Sequence, residues 1–183
     1  MQVRIYVISS YLLLFTGVIS VQKNHKCQRH QGYVYCENKS VEQLQTSGLI
    51  KLDNMQVNGL AQLRGKVDIH NSELTKLLAF GQITMTKVTI KDQMQVFGQL
   101  NASESTWHNT LIVWSNTMSL TASYVYADVV VHGEQNAKCL VKLSDHTKVM
   151  GDIVFKDCEG IVELHSSACV VGAVVNGEII NKP

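Results

Sequence analysis

Gly65-Lys66-Val67-Asp68-Ile69-His70-Asn71-Ser72-Glu73-Leu74-Thr75-Lys76-Leu77-Leu78-Ala79-Phe80, closed by Gly81, is the stretch that decides the fold. It holds three pairs of residues spaced two apart: Val67/Ile69, Ser72/Leu74 and Leu77/Ala79. Alternation with period two places both members of a pair on one side of an extended strand. A helix cannot generate the pattern, because a 3.6-residue period does not pair i with i+2 while leaving polar residues between. Polar residues or glycine separate the three pairs, so the unit reads as three short strands joined by corners.

The unit recurs outward in both directions. Gly48, Gly65, Gly81 and Gly98 lie 17, 16 and 17 residues apart, and Gly133 and Gly151 continue the series once Asn116 divides the long gap. Asn is the residue after Gly that best accepts a positive φ, the conformation a sharp corner favours. After the markers come Ile50/Leu52, Ile83/Met85, Leu100/Ala102, Met118/Leu120, Gln135/Ala137 and Ile153/Phe155. Before the next marker come Ala61/Leu63, Met94/Val96, Ile112/Trp114 and Val129/Val131. Between them lie Met55/Val57, Val88/Ile90, Ser105/Trp107 and Ser123/Val125, so Trp107 occupies an inward slot. A fixed period with paired inward residues is the signature of a solenoid. The expected fold is all-β: a single-stranded, right-handed, three-sided parallel β-helix with about 17 residues per turn. Seven turns from Gly48 to Ala168, stacked at roughly 4.8 Å, make a rod of about 34 Å.

Three regions are expected: a signal peptide at 1–20, an N-terminal cap at 21–47 and the β-helix at 48–183. Arg4 precedes an apolar run from Ile5 to Phe15, and Val18 and Ser20 supply a small-residue cleavage site. Removing Arg4 takes the formal charge from +1 to zero. No second apolar span follows, so no membrane span is expected after cleavage, and the product is expected to be secreted or periplasmic. In the cap, Ser40-Val41-Glu42-Gln43-Leu44 begins with Ser-x-x-Gln, a capping box on a short helix. Only 17% of residues are charged and the formal net charge is +1, without the basic excess of a phosphate-tracking protein, so nucleic acid is not among the expected partners. The one proline is Pro183, so no ladder donor is missing before it.

The runs Gly81-Gln82-Ile83-Thr84-Met85, Gly98-Gln99-Leu100-Asn101-Ala102 and Gly151-Asp152-Ile153-Val154-Phe155 resemble bactofilin-type, polymer-forming β-helix repeats over about residues 48–168. The resemblance implies a triangular right-handed coil. Members of that family are generally cytoplasmic scaffolds that polymerise through uncovered ends. This chain differs in carrying a signal and cysteines.

Five cysteines fit an oxidising compartment, and an odd number leaves one free or pairing between molecules. Cys27 and Cys36 read as a disulfide, while His25-x-Cys27-x2-His30-x5-Cys36 keeps a zinc set open. Cys139 and Cys158 fall near one corner on adjacent turns and are a bridge candidate, with Cys158–Cys169 as the competitor. Asn38-Lys39-Ser40 and Asn101-Ala102-Ser103 match the glycosylation acceptor pattern.

No cofactor, metal or catalytic residue is expected. Asp145 and His146 are adjacent, so on a strand they point to opposite faces, and a grid almost without insertions provides no cleft. The expected function is a non-enzymatic, exported structural or interaction protein. Its open end, Val170, Val171, Val174, Val175, Ile179 and Ile180, pairs with a protein partner or a second copy. The alternative is a carbohydrate-binding or carbohydrate-active β-helix, with a glycan as ligand. It requires an exposed aromatic or carboxylate row, of which only Tyr124, Tyr126 and Trp114 are visible.

Overall fold

The computed structural model describes residues 27–183. The expected signal peptide and His25 lie outside them. Nineteen strands and no helix occur among the described residues. All pairings are parallel except one, forming a β-solenoid of about nine turns with about 17 residues per turn. Three faces wrap one core, each contributing inward residues that stack from turn to turn.

The expected interior column exists. Ile50 pairs in register with Val34, and Val67 with Ile83. Ile83 then pairs with Leu100, Leu100 with Met118, Met118 with Val141 and Val141 with Val162, along the first face. The second face stacks Val57, Leu74, Ile90, Trp107, Val125 and Val149. The third stacks Leu63, Ala79, Val96, Val113, Val131 and Phe155. All of these side chains are buried. Trp107 is fully so, and its rung compensates with small residues at Ala102 and Ser105.

A polar column runs inside this apolar core. Ser72, Ser105, Ser123 and Thr147 occupy the corner between the first and second faces, at 5% exposure or less. The backbone N–H of Met55 donates to the Ser72 hydroxyl at 3.0 Å, and that of Val88 to Ser105 at 3.1 Å. Ser105 N–H donates to Ser123 at 3.1 Å, and Ser123 N–H to Thr147 at 3.2 Å. Ser105 and Ser123 hydroxyls in turn donate to the carbonyls of Ser103 and Thr121. Each hydroxyl thus satisfies an amide of the preceding rung that the corner turns away from the ladder. Ser105→Ala is expected to cost about 1–3 kcal/mol by orphaning the Val88 amide. A urea midpoint unchanged from wild type would refute that role.

Several sequence expectations are corrected. Ser40-Val41-Glu42-Gln43-Leu44 is not helical. Ser40 and Val41 pair with Gln56 and Val57, because burying Val41 and Leu44 against the next rung outweighs a capping box. The solenoid therefore begins at Tyr33 rather than Gly48, inside the region expected to be a cap.

The grid also slips beyond Asn116. Asn116 stacks on Cys139 and Cys139 on Gly160, so these rungs span 23 and 21 residues rather than 17. The additions sit at corners, chiefly Gly133–Ala137. Gly133, Gly151 and Asn116 are consequently not the positive-φ corners expected. Positive φ among the marker glycines is confined to Gly48, Gly65, Gly81 and Gly98, with Gly32 one turn earlier. Gln135 and Ala137 are not core residues; Val141 and Leu143 take those slots. Ile153 and Phe155 belong to the third face, and Ile112 and Trp114 point outward, leaving Leu111 and Val113 inside.

The lengthened corners are tied together by the Cys139–Cys158 disulfide, with Cα atoms 6.0 Å apart. Gly133 packs directly on it, in a space where a Cβ would meet Cys139 Sγ.

Candidate functional site

The two ends of the rod differ. At the N-terminal end, Gln28–His30 pairs antiparallel with Tyr33–Tyr35, covering the first-face edge of the opening rung. The Cys27–Cys36 disulfide (Cα atoms 4.6 Å apart) anchors that hairpin, so two of the four candidate zinc donors are bonded to each other. Beside it Tyr35 has its phenol pKa raised, chiefly by the hydrogen bond to Glu37.

At the C-terminal end, Cys169–Val170, Val174–Val175 and Gly177–Lys182 each pair with the preceding rung. Among the described residues no further strand lies on their outer side. Ile179 follows the inward column yet is 45% exposed, because no rung stacks above it. Val170 and Val174 are half-buried for the same reason, and Val171 and Val175 stand on the surface. Ile180 points outward beside Glu163. The run from Val170 to Ile180 is therefore both a final rung and an exposed apolar edge. Cys169 lies on it as an exposed free thiol, in register with Lys148, and does not bridge to Cys158.

The outer sides of the three faces have distinct chemistry. The first carries short polar side chains, with hydroxyls of Ser103 and Thr86 at 3.3 Å and of Ser144 and Thr121 at 3.1 Å. Towards the C-terminal end Glu163 meets Lys142, His165 and Lys182 at 3.7–3.8 Å. The second face holds Tyr124 and Tyr126, 4.6 Å apart, with His108 stacked on Tyr126 at 5.1 Å.

The third face carries what sequence reading missed. Phe80, Phe97 and Trp114 stack in a line at 4.9 and 4.2 Å, and His132 continues it 4.9 Å from Trp114. The Arg64 guanidinium sits 4.5 Å over the Phe80 ring at the other end. Beside this line runs a second outward column, Leu78, Gln95, Ile112, Val130, Val154 and Val175. One face of the rod is thus apolar outside as well as inside. A signal existed, since Phe80, Phe97 and Trp114 recur at the rung spacing of 17. It was obscured because Leu111-Ile112-Val113-Trp114 is apolar throughout, so alternation does not say which pair faces in. In this line each ring covers the face of the next, so mainly ring edges meet solvent.

The remaining candidates are scattered. Asn38 is exposed at a corner with φ of 52°, and Asn101 is half-buried on the first face. Asp145 and His146 form a corner, both with positive φ, and His146 Nδ1 hydrogen-bonds the Ser167 hydroxyl. Glu104 pairs with Lys87 at 3.6 Å. A surface groove of about 570 Å³ follows the corner past Asn38, Asn54, Asn71 and Lys87. Among the described residues no helix is long and apolar enough to cross a membrane. No family model, curated protein or solved structure matches the chain.

Proposed function

We infer that the chain is an exported, non-enzymatic structural or interaction protein, a rigid rod that binds through its C-terminal rung. The observation that carries this reading is the contrast between the two ends. One bears an antiparallel strand locked by Cys27–Cys36, and the other ends in strands paired on one side with Ile179 uncovered. An edge of free amides and carbonyls around an apolar floor matches what strand addition requires: main-chain bonds for affinity and side-chain pockets for selectivity. The occupant is a strand of a protein partner or the end of another copy. The resemblance to polymer-forming β-helix repeats supports the second. Two disulfides fit assembly in an oxidising compartment outside the cytoplasm.

Ile179→Lys is the direct test, because a lysine at an edge opposes strand pairing while the rung beneath keeps its own contacts. The variant is expected to keep the wild-type melting temperature and to lose end-on association or partner capture by at least about tenfold. End-to-end growth beyond a dimer, or capture of a protein partner, that survives both Ile179→Lys and deletion of residues 169–183, read by light scattering, would overturn the assignment.

A further inference from the structure

The apolar third face has a charge pattern along its two margins that specifies what packs on it. Each strand of this face begins at the corner with the second face and ends at the corner with the first. In two successive rungs the starting residue is acidic and the closing residue basic or imidazole: Asp128 with His132, and Asp152 with Lys156. Earlier rungs close on Arg64 and the aromatic line, and one of them opens on Lys76. Between the margins lie Leu78, Ile112, Val130 and Val154, interrupted only by Gln62 and Gln95.

We propose that this face packs on the same face of a second copy, the two rods lying side by side and parallel about a two-fold axis along their length. That operation sets each strand against its own equivalent, running in the opposite direction. Asp152, whose Oδ1 accepts the Ala173 amide, then faces Lys156 of the other copy, and Asp128, whose Oδ1 accepts the Asp152 amide, faces His132, which lies 3.5 Å from Asp157 of its own chain. The central column meets itself on the axis, so Ile112, Val130 and Val154 bury one another and the Gln95 amides hydrogen-bond across it. The alternative two-fold, along the strands, makes the rods antiparallel. Centred on the six rungs from Arg64 to Lys156, it sets Arg64 against Lys156 and Gln95 against Ile112, opposing like charges and burying an amide on an aliphatic side chain. The isologous parallel pairing satisfies both the charges and the apolar floor.

The exposure of the face supports an occupant. Phe97 is 36% and Val175 39% exposed, and aromatic and β-branched residues fill an outward surface whose counterpart on the first face is polar. Flat sheet faces of this kind pack about 10 Å apart, with side chains from both filling the gap. This contact is separate from the C-terminal rung and leaves it open.

The test is sedimentation and light scattering of the full chain across about 1 to 100 micromolar. Ile179→Lys protein, its end blocked, is expected to approach twice the monomer mass, and wild type to reach at least that mass. Ile112→Asp places two carboxylates against each other on the axis and is expected to weaken the dimer at least about 100-fold. Lys156→Glu, which sets like charges opposite Asp152, is expected to weaken it about tenfold. Both substitutions are on the outer surface, and far-UV circular dichroism verifies that the solenoid is intact. In a Cys169→Ser background, Val130→Cys is expected to join to itself through a bis-maleimide spanning about 10 Å, while Thr84→Cys on the first face is not. A wild-type chain monomeric throughout this range, or a dimer indifferent to Ile112→Asp, would overturn the proposal. Association lost in Ile179→Lys but not in Ile112→Asp would also overturn it while leaving the end-on reading standing.

Discussion

Gly81→Ala is expected to be among the most damaging single substitutions in this protein, lowering stability by about 4 kcal/mol or more. Two causes add. The residue has φ of 120°, outside the range an L-residue adopts without strain, which alone costs about 1–3 kcal/mol. A Cβ there would also fall well inside contact distance of the Gly65 carbonyl, a backbone atom that cannot swing aside. Gly65 itself stands in the same relation to Gly48, and Gly98 to Gly81, so no neighbouring rung can yield without displacing the next. Gly32→Ala is the internal control. Its φ is also positive, but a Cβ meets nothing within 4 Å, and the expected cost is only about 1–2 kcal/mol. Urea denaturation of the pair separates the effects. Equal midpoints would mean that rung contact is not what excludes a side chain from this column.

Trp107→Ala is expected to cost about 3–5 kcal/mol, the range for emptying a large buried aromatic site. The ring is fully buried between Ile90 and Val125 in the second-face stack, and its indole N–H donates to the Met94 sulfur at 2.9 Å. A cavity at mid-rod also weakens the coupling between the rungs on either side, and solenoid stability is close to a sum of nearest-neighbour terms. Besides the lower midpoint, a shallower denaturant dependence is therefore expected, as the two halves begin to unfold separately. A loss below about 1 kcal/mol would show that the stack closes over the gap and that Trp107 does not set the core's width.

Much of the architecture was legible before any coordinates. Paired inward residues at a 17-residue period specify stacked three-sided turns, since no other arrangement buries all three pairs in every unit. The corner glycines from Gly48 to Gly98 followed from their spacing and the sterics of a positive φ, and the inward placement of Trp107 from its slot in the alternating pairs. Legibility failed where the chain length per turn changed. From Asn116 onward the period was extrapolated, but Asn116, Cys139 and Gly160 show that rungs may lengthen at a corner without disturbing the stack. Composition carries no penalty for such an insertion, so nothing in a one-dimensional grid flags it. The Ser40–Leu44 segment failed for a different reason. Its local cap signal is real but weak, and pairing with Gln56 and Val57 dominates it.

By itself, then, the amino-acid order determined the solenoid, its corner glycines from Gly48 to Gly98 and its apolar C-terminal run, because these depend on short-range alternation and on steric rules applied at a constant spacing. Only the tertiary structure decided three further matters. It assigned the disulfides as Cys27–Cys36 and Cys139–Cys158, leaving Cys169 exposed at the end rung. It began the coil at Tyr33. And it turned Ile112 and Trp114 outward to complete an apolar exterior face. Each rests on register between segments distant in sequence. Where a strand is apolar on both sides, only contact with the neighbouring rung can choose which side is core.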